Sequence, residues 1–344
     1  MKKIVLTGGG SAGHVVPNLA LADELSDFEL AYIGTDGIEK SLVTNRHIPY
    51  YTIRCPKLRR SFSLQNCKIP WELAHAVKKA RSGLRLMQTD LVFSKGGYVA
   101  LPVVLAAKRL GIPVISHESD LSVGLANRIG ANYSRTVLTA FPETAEKLKN
   151  GKYTGNPVRR ELFEGDRRSA RQKYGLHGDL PVVLIFGGGS GSAAINAALR
   201  QNVSALTRTC QILHICGKGN VVGSNLKRYV QLEYEQDMAS AYAAADLVVS
   251  RAGANTVFEL LALRKKSLLI PLCHASRGDQ IENAEYFRKK GLCRVLQEEA
   301  LPSLPAAVFE ALADRETEDN LSRHTVPIGN KAIVAEIRKA LQPT

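Results

Sequence analysis

The chain has 344 residues, of which 45% are hydrophobic and 23% charged, and its formal net charge is +14. This length predicts two domains, and the apolar fraction excludes an intrinsically disordered protein. No apolar run approaches the ~18–20 residues that span a bilayer, and the six cysteines show neither C-x-x-C pairs nor zinc-like spacing to histidine, so free thiols and no metal site are expected.

Short apolar runs in the first half predict β-strands at 2–7, 29–33, 50–54, 90–94, 112–116 and 136–140. Helical patterns such as 16–26 and 98–110 lie between them. This alternation is typical of a parallel sheet with helices on both faces. The first run is too short for a signal peptide and leads directly into a glycine loop, so we interpret it as a strand.

The same pattern restarts after residues 153–159. A strand at 181–186 leads into a second glycine loop, and further strands are predicted near 211–215, 246–250, 267–271 and 293–296. We therefore predict an α/β protein with two Rossmann-like domains, 1–158 and 159–328, whose parallel sheets face a central cleft. Residues 329–344 would form a closing helix that could pack back on the first domain.

Each half places a glycine loop between its first strand and the following helix, at 8–14 and at 187–192. Backbone N–H groups and the helix N-terminus make such loops attractive to anions, although a tight turn alone could also explain the glycines. Gly8, Gly10 and Gly13 also fit a dinucleotide fingerprint, but no acidic residue follows the second strand convincingly. Two such loops in similar halves favour two negatively charged substrates.

Further motifs follow in order along most of the chain. They are residues 10–14 with Pro17, 96–99, 117–120 with Gly124 and Asn127, 155–159, 237–242, 250–259 and 277–284. Together they resemble the MurG family, which are GT-B glycosyltransferases of peptidoglycan synthesis. The resemblance implies an inverting transfer of N-acetylglucosamine (GlcNAc) from UDP-GlcNAc to the 4-hydroxyl of undecaprenyl-linked N-acetylmuramyl-pentapeptide, with the enzyme peripheral on the cytoplasmic side of the cell membrane.

The resemblance also implies site residues, with the UDP-sugar in the second domain and the lipid-linked acceptor in the first. The donor-binding set is Ser11, Ala12, Gly13, Asp120, Arg159, Gly189, Ser190, Gly191, Ala254, Asn255, Thr256, Val257, Phe258, Glu259, Asp279 and Gln280. The acceptor-binding set is Gly10, Gly96, Gly97, Tyr98 and Asn127. Glu259 would accept hydrogen bonds from both ribose hydroxyls. Without the resemblance, Glu259 is a helix-surface acid, Asp279 a helix N-cap and Arg159 a linker cation.

Three positions depart from the family pattern: Ala12 replaces a usual glycine, Gly189 a common serine, and Asp120 a familiar asparagine. Asp120 has the largest physical consequence, because it sets a second carboxylate beside Glu118 near a diphosphate. It could be protonated, face a sugar hydroxyl, or mark a variant acceptor site.

Displacement at the anomeric carbon requires charge stabilisation on the diphosphate and a base for the attacking hydroxyl. We expect the second glycine loop and Arg159 to stabilise the charge without a metal or other cofactor. His14 is the first candidate for the base, because it follows the glycine loop and titrates near neutrality. Glu118 at the end of a strand is the rival. Either residue could instead serve only to order its loop.

A basic stretch indicates an anionic partner, since residues 54–85 hold nine Lys or Arg and one acid, Glu72. The cations are Arg54, Lys57, Arg59, Arg60, Lys68, Lys78, Lys79, Arg81 and Arg85, and Lys108 and Arg109 could extend them. They surround Ile69, Trp71 and Leu73, which suits an anionic bilayer surface unless Trp71 packs inward. No nucleic-acid-binding motif is present, so nucleic acid is not an expected partner.

The sequence leaves five alternative functions. They are a GT-B transferase with another lipid acceptor such as diacylglycerol, a UDP-sugar epimerase, a nicotinamide-dependent oxidoreductase, a nucleic-acid-binding protein that uses the basic stretch, and a non-catalytic UDP-sugar-binding paralogue. The second glycine loop and the Glu259 motif argue against the oxidoreductase.

Overall fold

The computed structural model describes residues 1–56, 69–189, 191–273, 278–326 and 328–342. The chain divides into two compact units. Unit 1 comprises Met1–Arg159 and Pro327–Thr344, and unit 2 comprises Arg160–Val326. Within the described ranges, no helix is both long enough and apolar enough to cross a membrane.

The described part of unit 1 contains a seven-stranded sheet in the order β3-β2-β1-β4-β5-β6-β7. The strands are β1 Lys3–Thr7, β2 Glu29–Gly34, β3 Tyr50–Thr52, β4 Leu91–Ser94, β5 Val114–Glu118, β6 Thr136–Thr139 and β7 Gly151–Tyr153. Every neighbouring pair is parallel. The central strands are buried along nearly their whole length, as expected for a parallel sheet covered on both faces.

Helices cover both faces of this sheet. They are α1 Ala12–Ala22, α2 Ile38–Thr44, α3 Ile69–Leu86, α4 Ala100–Arg109, α5 Leu125–Ala131 and α6 Pro142–Glu146. Helix α3 is amphipathic: Val77, Ala80 and Leu84 pack with α4 and the sheet, while Trp71 and Leu86 are exposed. Val77, Ala80 and Leu84 recur at helical spacing, so they form one buried face of the helix and leave the other face exposed to solvent.

The described residues of unit 2 repeat the plan with a six-stranded sheet in the order β10-β9-β8-β11-β12-β13, again all parallel. Its strands are β8 Val182–Phe186, β9 Gln211–Ile215, β10 Tyr229–Leu232, β11 Leu247–Ser250, β12 Ser267–Leu269 and β13 Arg294–Val295. Its helices are α7 Arg167–Lys173, α8 Ala193–Leu206, α9 Met238–Ala244, α10 Ala254–Ala262, α11 Asp279–Arg288, α12 Leu304–Ala313 and α13 Arg315–Arg323.

The last helix, α14 Asn330–Leu341, belongs to unit 1 although it follows unit 2 in the chain. Ile333, Val334 and Ile337 join the core formed by α1, β1, β2 and β4. Asn330 fastens the start of the helix: its side-chain oxygen accepts from the Val158 backbone N–H at 2.8 Å, and its Nδ2 donates to the Val158 carbonyl at 3.0 Å.

The prediction of two parallel α/β domains is confirmed, and the predicted apolar runs became strands. Two edge strands, β7 and β10, were not predicted, because most of their residues are half-buried or exposed and lack a continuous apolar run. The helix predicted at 16–26 begins earlier, at Ala12, and ends at Ala22. It starts directly after the glycine loop because Ser11 is still extended. The chain then makes a 3₁₀ turn over Asp23–Leu25.

Candidate active site

Both glycine loops lie where the strand order of their sheet reverses. In unit 1 this point is between β1 and β4, and in unit 2 it is between β8 and β11. The helices after such neighbouring strands lie on opposite faces of a parallel sheet, which leaves a crevice at the carboxyl ends of the strands where ligands bind. Each glycine loop therefore lies where sheets of this topology form a ligand-binding crevice.

In unit 1, the loops after β1 and β4 are in close contact. A Cβ on Gly10 would lie 2.4 Å from a ring carbon of Tyr98, and Gly10 has φ +83°. A Cβ on Gly97, which has φ +78°, would lie 2.5 Å from the Gly9 carbonyl oxygen. Only glycine tolerates both the backbone conformation and the approach. These glycines therefore set the position of Tyr98 relative to the first loop.

His14 lies in the first turn of α1 and is half-buried at this crevice. Its Nδ1 is 2.9 Å from the Ser11 hydroxyl oxygen. A Cβ on Gly97 would lie 3.3 Å from the same nitrogen, so the imidazole also contacts the loop after β4. The predicted residues Ser11, His14 and Gly97 are thus brought together.

The carboxylate of Glu118 orders the loop that follows β5. Its Oε1 accepts from the Asp120 backbone N–H at 3.1 Å, and its Oε2 accepts from the Gly124 N–H and from Asn127 Nδ2, both at 2.9 Å. The residue is only 5% exposed. Three donors occupy the carboxylate, which is the arrangement of a group that fixes a loop and starts α5.

A buried lysine, Lys95, stands at the end of β4 and was missed by sequence reasoning. Its ammonium contacts His117 Nδ1 at 2.6 Å, the Ser119 hydroxyl, and Asn156 Oδ1 at 3.4 Å. Burial lowers the pKa of Lys95 to about 7, although the charges of Glu118 and Asp120 oppose that shift. Burial also holds the pKa of His117 well below its ordinary value, with the Lys95 charge adding to the effect.

In unit 2, the loop from Gly187 to Ser192 joins β8 to α8. Ser192 caps the helix, its hydroxyl accepting from the Ile195 N–H at 3.4 Å. A Cβ on Gly191, which has φ +76°, would lie 2.4 Å from the Cys216 carbonyl oxygen, whereas Gly188 and Gly189 face open space. The loop is thus tight at its base and open at its tip, as an anion-binding loop at a helix N-terminus needs to be.

Arg251, the first residue after β11, holds the carboxyl end of this loop by hydrogen bonds. Its Nη2 donates to the Ser192 hydroxyl at 2.8 Å and to Glu298 Oε1 at 2.7 Å. Its Nη1 donates to the carbonyl oxygens of Ile270 and Pro271. Arg251, Ser192 and Glu298 border a cavity of about 470 Å³, which is also lined by Gly188, Thr256 and Gln280. Arg251 lies within the 250–259 motif, but the sequence predicted no role for it.

Helices α10 and α11 carry the remaining predicted residues of unit 2. Glu259 is nearly buried, and its Oε2 accepts from the Tyr242 hydroxyl at 3.2 Å. Gly278, whose backbone is in the left-handed region, is the N-cap of α11, and Asp279 is the first helical residue. The alternative prediction that Asp279 is the N-cap is therefore wrong. The Gln280 side-chain oxygen accepts from the Leu272 N–H at 3.1 Å.

The predicted site residues therefore divide between the units. Unit 1 holds the whole predicted acceptor set, together with His14, Glu118 and five residues predicted to bind the donor: Ser11, Ala12, Gly13, Asp120 and Arg159. Unit 2 holds Gly189, Gly191, residues 254–259, Asp279 and Gln280. Ser190 lies outside the described residues.

Two family models match the chain, and both describe sugar-transferring enzymes. The glycosyltransferase family 28 N-terminal domain matches residues 4–139, and the glycosyltransferase family 28 C-terminal domain matches residues 182–339. The chain belongs to glycosyltransferase family 28.

Individual relatives narrow the comparison. The chain is 47% identical over 335 residues to the UDP-N-acetylglucosamine–N-acetylmuramyl-(pentapeptide) pyrophosphoryl-undecaprenol N-acetylglucosamine transferase of Clostridium kluyveri, covering 94% of this chain and 93% of the relative. It is 47% identical over 310 residues to the enzyme of the same name from Clostridium perfringens, covering 88% and 87%. The crystal structure of Acinetobacter baumannii MurG is similar at a TM-score of 0.76, with 28% identity, 98% of this chain and 100% of that chain covered.

Proposed function

We propose that this protein transfers N-acetylglucosamine from UDP-GlcNAc to the 4-hydroxyl of N-acetylmuramyl-(pentapeptide) pyrophosphoryl-undecaprenol, with inversion at the anomeric carbon. The observation that carries the proposal is the pair of glycine loops at the strand reversal points of two parallel sheets. Each loop leads into a helix N-terminus, where an anion can bind, and donor and acceptor both contain a diphosphate. The near full-length similarity to transferases of that name supports this choice of substrates.

The donor is assigned to unit 2. Its diphosphate would lie over the open tip of the loop at Gly188 and Gly189, where the N-terminus of α8 provides a partial positive charge. Glu259 would accept hydrogen bonds from the ribose hydroxyls, held in place by Tyr242. Residues 254–258, Asp279 and Gln280 would contact the nucleoside and sugar. Arg159 and Asp120, which lie in unit 1, are assigned to the diphosphate and the sugar.

The acceptor is assigned to the crevice of unit 1, next to Gly10, Gly96, Gly97, Tyr98 and Asn127. His14 is proposed as the general base, because it is half-buried at this crevice and its Nδ1 is oriented by Ser11. Glu118 is the weaker candidate, since its carboxylate is already engaged by three donors. We assign Glu118 to holding Asn127 and the loop after β5.

The reaction is proposed to need no metal. Backbone N–H groups, the α8 dipole and Arg159 would stabilise the charge that develops on departing UDP. Such groups are fixed before the reaction and would act in place of a metal ion.

Unit 1 is proposed to bind the cytoplasmic face of the cell membrane through α3. Trp71 is 82% exposed, so the alternative in which it packs inward is wrong. Lys78, Lys79, Arg81 and Arg85 are exposed on the same helix, and Arg54, Lys108 and Arg109 are exposed elsewhere in unit 1. Lys57, Arg59, Arg60 and Lys68 lie outside the described residues. Cations around an exposed indole suit an anionic lipid surface.

Mass spectrometry of a reaction mixture tests the chemical proposal. The protein is mixed with UDP-GlcNAc and a short-chain analogue of the acceptor, in the presence of a chelator. A product heavier by one N-acetylhexosamine, with UDP released, is the expected result. No product despite intact UDP-GlcNAc binding would refute transfer to this acceptor, and activity only after metal is restored would refute the metal-free mechanism.

Variants of the two candidate bases test the catalytic assignment. With both substrates saturating, His14→Ala is expected to lower kcat by 10²–10⁴-fold, the usual contribution of a general base. In Glu118→Gln the amide oxygen can still accept one of the three hydrogen bonds that the carboxylate accepts. This substitution is therefore expected to raise KM for the lipid analogue more than it lowers kcat. Near-normal kcat in His14→Ala would overturn the assignment.

Vesicle sedimentation tests the membrane proposal. Binding to anionic vesicles is expected to weaken as salt rises and to fall in Arg81→Glu/Arg85→Glu, whereas Arg315→Glu/Arg323→Glu on α13 of unit 2 changes net charge equally and serves as the control. Equal losses in the two pairs would contradict a specific role for α3.

A further inference from the structure

Lys95 sits at the centre of a polar cluster that joins three loops at the carboxyl edge of the unit 1 sheet. Lys95 itself follows β4, His117 and Ser119 lie at the end of β5, and Asn156 follows β7. Lys95 is 3% exposed, and His117 and Asn156 are fully buried. A Cβ on Gly8 would lie 3.2 Å from the Lys95 Cβ, so the first glycine loop packs on the lysine stem.

The hydrogen bonds of this cluster fix the position of each proton. The Gly155 carbonyl can only accept, so His117 Nε2, at 2.9 Å, must carry the hydrogen. In the neutral ring Nδ1 is then an acceptor, and it faces the Lys95 ammonium at 2.6 Å. The Ser119 hydroxyl donates to Asn156 Oδ1 at 2.6 Å, which leaves its lone pairs for Lys95. Three N–H donors of the ammonium thus meet three acceptors, so its charged form is the one that the cluster fits.

None of these three partners carries a formal negative charge, and a buried ammonium with only neutral partners is costly. Compensation comes from the flanking loop. Glu118 and Asp120 are the chain neighbours of Ser119, whose hydroxyl contacts the Lys95 ammonium, so both carboxylates belong to the loop that the lysine holds. Their charges favour the ammonium. The reverse also holds: two carboxylates next to a site for a diphosphate would repel it unless a nearby cation offsets them.

We propose that Lys95 is a positioning residue that holds the 117–120 loop in place and supplies the positive charge offsetting Glu118 and Asp120, so that an acceptor bearing a diphosphate can bind beside them. The inference rests on the proposed function, because it assigns the diphosphate of the acceptor to this crevice. It also accounts for aspartate at position 120, since a fixed cation one strand away makes a second carboxylate tolerable there.

A double-mutant cycle between Lys95 and Asp120 tests this inference. Lys95→Met keeps the aliphatic stem and removes the charge, and Asp120→Asn removes the opposing charge. Because Asp120 is also assigned to the donor, the acceptor KM is measured at saturating UDP-GlcNAc. We expect Lys95→Met to raise KM for the short-chain acceptor analogue about tenfold and Lys95→Met/Asp120→Asn to recover most of that loss, while the KM for UDP-GlcNAc changes less than twofold in Lys95→Met. A loss that Asp120→Asn does not relieve would show a packing role and overturn the inference.

A second readout needs no substrate. The charges that act on Lys95 are those of Glu118 and Asp120, which favour the ammonium, whereas His117 is neutral and presents Nδ1 to it. Because its pKa in the folded state is about 7, below the ordinary 10.5, the unfolded chain binds the proton more tightly, and stability rises with pH above about 7. Lys95→Met should abolish that rise in the urea midpoint. Asp120→Asn should start it at a lower pH, because the Asp120 charge favours the ammonium.

Matched controls separate the possible failures. Lys265 of unit 2 is another lysine whose pKa burial lowers, so Lys265→Met should leave acceptor KM unchanged. If Lys95→Met does not fold, folding of Lys95→Met/Asp120→Asn supports the charge pairing, and failure of both overturns it. If the unaltered protein transfers nothing to the analogue, the proposed function fails, while the pH dependence of the urea midpoints still decides for or against Lys95.

Discussion

Replacing Arg251 with methionine should disturb both the stability of unit 2 and its affinity for the donor. The side chain makes hydrogen bonds to Ser192, Glu298 and two carbonyl oxygens, and only 10% of it is exposed. Removing one partner of a buried ion pair costs about 3–5 kcal/mol. The Glu298 side chain is 22% exposed and regains some hydration, so we expect a loss of about 2–3 kcal/mol in the free energy of unfolding.

The effect on the donor follows from Ser192. Its hydroxyl caps α8 and also accepts from Arg251, so the substitution releases the carboxyl end of the glycine loop. A loop that must be ordered by the ligand binds more weakly, and we expect the Kd for UDP measured by calorimetry to rise about tenfold. Arg251→Lys keeps the charge but not the fork of donors, so it should fall between the two proteins.

Arg228→Met is the control for this experiment. Arg228 donates to the Thr207 carbonyl at 3.1 Å and precedes β10, away from the glycine loop. It should lower stability by about 1 kcal/mol, the net value of a typical hydrogen bond, and leave UDP affinity unchanged. Urea unfolding followed by circular dichroism gives the stabilities. If Arg251→Met matches the unaltered protein in both urea midpoint and UDP affinity, the reasoning is refuted.

Three further substitutions or titrations concern the two cores and the first loop. Gly10→Ala should lower stability by about 1–3 kcal/mol and raise acceptor KM, because the new Cβ would strike Tyr98 from a left-handed backbone; an unchanged melting temperature would contradict this. Ile337→Ala should cost about 2–5 kcal/mol in urea unfolding, as a fully buried core deletion does, and a value under 1 kcal/mol would mean that α14 is not part of the unit 1 core. Burial lowers the pKa of His214 to about 4, so its neutral form stabilises unit 2 above about pH 6.5 and this stabilisation is lost as pH falls towards 4. His214→Gln should flatten this part of the pH profile of stability, measured as the urea midpoint against pH.

The parts of the fold that could be predicted were those encoded locally. β1 and β8 each contain a continuous apolar run, residues 4–6 and Val182–Phe186, and a glycine follows each strand, so both the strand and the glycine turn are readable in one stretch of sequence. β7 and β10 could not be read this way. They are short edge strands whose residues are mostly half-buried or exposed, and only their pairing with β6 and β9 makes them strands.

The site residues divide along the same line. Glycines and the histidine after a loop carry local signals, and so His14 and Gly97 were found. Lys95 was missed because its partners stand 22, 24 and 61 residues away in the chain. Arg251 likewise depends on partners 59 and 47 residues away. A cation just after a strand is unremarkable until the sheet brings those segments together.

The two missed cations share one position in the two units. Lys95 follows Ser94 at the end of β4, and Arg251 follows Ser250 at the end of β11, each beside the first strand of its sheet. Each cation supports the glycine loop of its own unit, through the lysine stem at Gly8 or through Ser192. The two units therefore resemble each other in strand order and also in the cationic residue that contacts each glycine loop.

The place of α14 in unit 1 has a consequence for how the protein is made. A ribosome that has finished residues 1–159 still has to synthesise all of unit 2 before α14 appears, roughly 10–40 s later at about 5–20 residues per second. During that interval the surfaces of β1, β2 and α1 that Ile333, Val334 and Ile337 will cover face water. The core of unit 1 is therefore complete only after α14 has been synthesised, although most of that core is encoded before residue 159.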